Sequence, residues 1–317
     1  MSSYALVFGP ADVSNMMQDM QLLYSCDKNV KRRFTQVARL ANVTSDMLLQ
    51  KEPMTANYSR VQIVSMGLLA GMLGIADSLI ETRGEPCCAG GVSLGELVAL
   101  CLSGAISLED AVAIIQLRPD QAAAGGGEET VGFVMVADGE DWEFYHQPPK
   151  MFISVDYGLI HNGFGKLLMI SGLRDALENE GQHGPGNMEV LPPELCQSAY
   201  HTPLRDWIRK QVEDYLGRAR INAPRVPVVT CVQGQGVVRD AEAVKSITLK
   251  SETEALHVPN LIRQIGELQA SEVVCVGPFL RSLNLSFSAP SSYRDERWVS
   301  ETIGSLPLQD AVGTALA

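Results

Sequence analysis

With 317 residues, 46% of them hydrophobic, the chain has the apolar material for one large domain or for a large and a small one. Thirty-seven acidic against 25 basic residues give a formal charge of -12, which repels a phosphate backbone and makes nucleic acid a poor partner outside a local basic patch. The seven cysteines form an odd, irregular set without C-x-x-C or metal-ligand spacing, which fits a reducing, cytoplasmic compartment and no metal site.

The opening Met1 to Phe8 lacks the basic flank and long apolar run of a secretory signal, so no export is expected. Within it, Tyr4 to Phe8 reads as a buried strand that ends at Gly9-Pro10, delivering its C-terminal end to a loop. Helical periodicity runs from Ser59 to Leu79, with Gly67, Ala70 and Gly71 small enough to let a helix sit close against a sheet. Its most apolar part, Val61 to Ile75, is interrupted by Gln62 and Ser65 and falls short of the roughly 20 apolar residues that cross a bilayer. A buried helix and no membrane association are expected. The small residues from Pro86 to Gly91 lead into a helix over Leu94 to Leu102, and Ser107 with Glu109 and Asp110 opens another that Pro119 stops after Arg118.

Residues 121–130, rich in Ala, Gly and Glu, mark a mobile excursion or a boundary. Short strand signals follow at Val131 to Ala137, Ile153 to Val155, Leu167 to Ile170 and Met188 to Leu191, with a helix signal at Leu173 to Glu178 and a flexible stretch at Gly181 to Asn187. Elements this short suggest a small α+β subdomain inserted into a larger one. A long amphipathic helix over Leu204 to Gly217 and buried strands at Val226 to Val232 and Val273 to Val276 return the chain to the larger unit. The tail after Ser286 is polar and serine-rich, with little pattern.

Gly91-Val92-Ser93-Leu94-Gly95 matches G-x-S-x-G, between a small apolar segment and a helix, as a nucleophile elbow requires. Glycines on both sides permit a sharp turn that projects the Ser93 hydroxyl, and the Leu94 N–H is placed to meet a developing oxyanion. A serine hydroxyl needs a base to take its proton. Of the five histidines, His146 reads as a surface residue and His183 lies in a glycine-rich stretch, while His161 and His257 are weaker candidates. His201, at the start of a long helix, is the strongest, against the plainer reading of a histidine that only caps that helix.

These residues resemble the malonyl-CoA:acyl-carrier-protein transacylase family and the acyltransferase domains of polyketide synthases. Gly91-Val92-Ser93-Leu94-Gly95-Glu96 is similar to the family's G-H-S-L-G-E, Leu117-Arg118 to its arginine motif, and Tyr200-His201-Thr202-Pro203-Leu204 to the F-H-S-x-x-M segment that carries the base. Ala99-Leu100, Gly104 to Ser107, Asp110-Ala111, Ala223 to Val228, Gly234, the region of Pro259, and Val276-Gly277-Pro278 extend the resemblance over nearly the whole chain. It implies an α/β fold, a hydrolase-like core with a parallel sheet plus an inserted ferredoxin-like α+β subdomain. Residues 1–127 and 199–317 would form the large subdomain and 128–198 the small one, with the active site between them.

The resemblance further implies a Ser93–His201 dyad working through an acyl-serine ester, an oxyanion hole at Leu94 and Ala11, and Arg118 holding the free carboxylate of a malonyl-type substrate. A guanidinium presents paired donors matched to a planar carboxylate. Substrates would be thioesters of coenzyme A or phosphopantetheine, with no tightly bound cofactor and no metal. The partner would be an acyl carrier protein and the enzyme a monomer. Arg205, Arg209 and Lys210, just after His201, offer a basic face for an acidic carrier. The chain departs from the family at Ala11 and, counted back from Pro259, at Ala255, both expected to be glutamine, at Val92, expected to be histidine, and around Asn162 to Gly165. These departures point to a substituted or carrier-bound malonyl unit, and leave an acyl-carrier thioester hydrolase and a non-catalytic docking protein as other readings.

Overall fold

The computed structural model describes residues 3–11, 17–55, 57–160, 163, 165–295 and 298. In chain order the strands are β1 (Tyr4–Phe8), β2 (Cys88–Gly91), β3 (Glu129–Ala137), β4 (Met151–Ile160), β5 (Gly165–Leu173), β6 (Asn187–Val190), β7 (Val228–Val229), β8 (Leu256–His257), β9 (Glu272–Val276) and β10 (Ser291–Arg294). The α-helices are α1 (Met17–Cys26), α2 (Lys28–Ala41), α3 (Ser45–Leu48), α4 (Arg60–Arg83), α5 (Leu94–Leu102), α6 (Leu108–Gln116), α7 (Asp206–Leu216), α8 (Ala241–Thr253), α9 (Val258–Glu267) and α10 (Leu280–Leu283).

The first sheet runs β10-β9-β1-β2-β7, and every pairing in it is parallel. Parallel strands covered on both faces read as continuous apolar runs rather than alternating ones, and all five residues of β1 are buried. Helix α5 lies against β1 and β2, and α4 is buried behind it, with Gly71 against Met20 of α1 and Gly74 against Val30 of α2. Ser59 and Gln62 close a reciprocal capping box at the start of α4, and every residue from Gln62 to Ala76 is buried. Among the described residues it is the one helix long and apolar enough to cross a membrane, yet 83% of its most apolar window lies inside the protein, as for a core helix. Helix α6 starts at the Ser107–Asp110 capping box but ends at Gln116, short of the expected Arg118, because the residue before Pro119 is disfavoured in the α region.

The second sheet runs β6-β3-β5-β4-β8. Counted from β3 to β6, its first four strands stand in the order 4-1-3-2, all antiparallel, which is the ferredoxin-like arrangement. The connecting helices are reduced to short turns at Trp142–Tyr145, Ala176–Glu180 and Gly181–His183. Strand β4 is ten residues long where three were expected. Bulges at Ile153/Val155 and Asp156/Gly158 break its period of two, which hides it from a pattern reading. The fifth strand, β8, comes from the segment after the insert and pairs in parallel with β4 through Val155↔Leu256 and Asp156↔His257, stitching the two parts together. The polar tail contains a strand after all: β10 pairs with β9 at the sheet edge, where the exposed Ser291 and the half-buried Ser292 stand in place of an apolar signal.

Candidate active site

Strands β1, β2 and β9 finish level with one another, since Phe8 pairs with both Gly91 and Val276. Ligands of open parallel sheets gather at such C-terminal ends. The loops leaving them bring Pro10, Ala11, Ser93 and Phe279 to one cavity of about 570 Å³, roofed by Phe133, Val155, Tyr157, Leu167 and Met169 of the second sheet.

Ser93 lies between β2 and α5 with φ 55° and ψ -111°, a conformation that L-residues avoid. The flanking glycines are compulsory here. A Cβ on Gly91 would stand 2.3 Å from the Gly95 backbone, and one on Gly95 would stand 2.1 Å from the Phe8 carbonyl oxygen. Leu94 opens α5, so its N–H has no intrahelical acceptor and points with the helix N-terminus toward the serine side of the cavity.

His201 also has a positive φ, 58°, and its Nε2 lies 2.9 Å from Ser93 Oγ. Its Nδ1 hydrogen-bonds the Ser251 carbonyl near the end of α8. A carbonyl only accepts, so Nδ1 carries the proton and Nε2 is left to accept from the serine hydroxyl. The ring edge opens to the cavity while packed protein surrounds the rest. That burial, above all, pushes the His201 pKa down to about 4; the Ser251 carbonyl and Glu252 oppose the fall, and the charges of Arg205 and Arg118 add to it. The imidazole is therefore neutral at physiological pH.

Arg118 lines the cavity just beyond α6 and directs its Nε and Nη2 at Glu252 Oε1, both at 2.5 Å. Arg205 is on the cavity wall as well, with 1% of its surface exposed. This corrects the expectation of a docking role for Arg205. The turn Pro203–Arg205 aims it inward, whereas Arg209 and Lys210 stand on the outer side of α7, paired with Asp206, and Arg209 also with Glu213. Ala11 lines the cavity, whereas Ala255 does not; Ser251 and Glu252 occupy that side. Asp12, Val13, Ser14, His161, Asn162 and Phe164 lie outside the described residues. Sequence reasoning missed Ser251, Glu252 and Phe279. Ser251 contributes a main-chain carbonyl, which carries no residue-type signal, and Phe279 is placed by a positive φ of 70°. Among the described residues, no group of three His, Cys, Asp or Glu side chains is arranged to hold a metal.

No family model matches the chain. Over 187 residues it is 27% identical to the spectinabilin polyketide synthase system protein NorA' of Streptomyces orinoci, covering 56% of this chain but only 5% of that much longer protein. Solved structures match over almost the full length. The malonyl-CoA:ACP transacylase of Synechocystis superposes with a TM-score of 0.77 at 17% identity, covering 95% of this chain and 99% of that one. The fold is that of the malonyl-CoA:ACP transacylases. The Helicobacter pylori transacylase gives the same TM-score, 0.77, at 17% identity, with 96% and 98% covered. A type II polyketide malonyl-transacylase, solved with its acyl carrier protein, gives 0.76 at 19% identity, with 95% and 98% covered. The transacylase fold thus accounts for both sheets and for the cleft between them.

Proposed function

We propose that the protein is an acyltransferase that moves a malonyl-type unit, substituted or carrier-bound, onto the phosphopantetheine thiol of an acyl carrier protein. The observation that carries this reading is the 2.9 Å approach of a neutral, tautomer-fixed His201 to Ser93, in a cavity that Arg118 also lines. His201 Nε2 takes the Ser93 proton as Oγ attacks the thioester carbonyl. Charge on the carbonyl oxygen is met by backbone N–H groups of Leu94 and Ala11. Collapse forms the acyl-serine ester and expels the thiolate, which takes the proton back from His201. The carrier thiol then repeats the sequence in reverse. Arg118 pairs with the free carboxylate, and 570 Å³ leaves ample room for a substituent on the α-carbon. The carrier complex of the polyketide transacylase above supports an acyl carrier protein as partner.

Exposure to a panel of acyl-coenzyme A and acyl-carrier thioesters, followed by peptide mapping, tests the reading. The acyl mass is expected on Ser93, with transfer to carrier outrunning release to water. An acyl mass that persists in Ser93→Ala would refute the ester, and release dominating with every carrier offered would make the protein a hydrolase. No acylation by any donor would leave the docking-protein reading.

A further inference from the structure

The cavity wall holds a buried arginine that this mechanism does not use. Arg205 Nη1 donates to Ser198 Oγ, and the guanidinium lies 4.6 Å from the centre of the Tyr200 ring. Its Nε and Nη2 are buried without a hydrogen-bond partner. The other acids near it are already engaged: Asp120 accepts from the Gln197 N–H and the Tyr200 hydroxyl, and Glu129 from the Ala199 N–H. Unfilled donors on a buried cation are costly, and native proteins rarely keep them without a reason.

The nearest acceptor is Glu252. Both Arg118 contacts fall on its Oε1, whereas its Oε2 stands 3.7 Å from Arg205 Nε, too far for a hydrogen bond. Glu252 is itself buried, with 4% of its side chain exposed. It therefore occupies the donors that a substrate carboxylate would need, and a carboxylate pushed off Arg118 without a new partner would be stranded in a low dielectric. We propose that Arg205 is the receiving post for Glu252: as a substrate carboxylate takes Arg118, the Glu252 carboxylate rotates onto the open Nε and Nη2 of Arg205. Arg205 is on this account a positioning residue that sets the preference for carboxylated acyl units, and an uncarboxylated unit leaves the Arg118–Glu252 pair closed. The inference rests on the reading that Arg118 seats the substrate carboxylate.

The relay predicts a specific non-additivity. Arg205→Met removes the post and locks Glu252 on Arg118, so the ratio of methylmalonyl to propionyl loading should fall about tenfold or more, seen in the concentration for half-maximal loading. Glu252→Gln releases Arg118 beforehand, so adding Arg205→Met to it should change the ratio by less than about twofold. Arg205→Lys, which keeps a cation for Glu252, should recover part of the loss. Should the Met variant fail to fold, Arg205→Gln serves in its place, since its neutral amide can keep the bond to Ser198 but carries no charge to hold the Glu252 carboxylate. An equal fall in both backgrounds, or no fall in either, overturns the relay. Calorimetry with free malonate keeps the test independent of acyl transfer. Binding to wild type that weakens in Arg205→Met only when Glu252 is present supports the relay even if no thioester acylates Ser93, and absence of malonate binding to wild type overturns it.

Discussion

The two walls of the cavity are built on different principles. The floor, at the ends of the parallel strands, carries the polar pair Ser93 and His201 and is held in conformations that resist change: Ser93, His201 and Phe279 all have positive φ values, 55°, 58° and 70°. Each such residue costs on the order of 1–3 kcal/mol and persists only where its surroundings over-determine it. The roof, from β3, β4 and β5, is apolar side chains on antiparallel strands, with no strained residue among Phe133, Val155, Tyr157, Leu167 and Met169. Phe279 ties the two, with ring centroids 5.6 Å from Tyr157 and 6.0 Å from Phe133. On the proposed function the contrast is a division of labour, in which the floor would set the chemistry and the roof the size of what is admitted.

The largest effect should come from the floor. His201→Ala is expected to slow acylation by about 10²–10⁴-fold, as loss of a general base does. Because burial holds the imidazole pKa near 4 rather than 6.5, the acylation rate should stay level from neutral pH down and fall only as pH approaches 4. A midpoint near 6.5 in the pH–rate profile would show that the ring is solvated. The stability sign follows from the same shift. The folded pKa lies below the unfolded one, so the unfolded chain binds the extra proton first, and His201 contributes stability that is present above pH 6.5 and lost as pH falls from 6.5 toward 4.

A roof change should be smaller and of another kind. Val155 is 1% exposed on β4, and Val155→Phe fills part of the cavity at a cost of about 1–3 kcal/mol in stability. Loading of α-alkylated malonyl thioesters should then fall about tenfold relative to malonyl itself, measured with paired donors. Equal losses on both donors would mean that roof and floor are not separable. The smallest effect is expected outside both walls. Asp206 and Glu213 already neutralise Arg209 and Lys210, so replacing both basic residues by Ala should slow carrier capture by less than about threefold at low salt. A tenfold loss in stopped-flow capture would restore the outer side of α7 as the docking face.

Where the physics is local, the sequence was legible. The apolar runs of β1 and β9, the capped starts of α4 and α6, and the serine elbow with its two glycines are all written in adjacent residues. Strand β4 was only partly legible because its bulges shift the alternation, and β10 was missed because an edge strand need not be apolar. The small sheet's strand order and the docking of β8 onto β4 depend on pairings between distant segments, and register of that kind leaves no trace in either segment alone.

At the site, the residue types determined what chemistry is available: a hydroxyl on an elbow, a histidine at a helix entrance and an arginine before a proline. The tertiary structure alone decided how these groups are wired. It set the Ser251 carbonyl against His201, placed Glu252 on Arg118 across 134 residues of sequence, and turned Arg205 inward while Arg209 and Lys210 face out. The reason is physical. A main-chain carbonyl looks the same in every residue, and a buried ion pair is defined by the distance between two side chains and not by the neighbours of either.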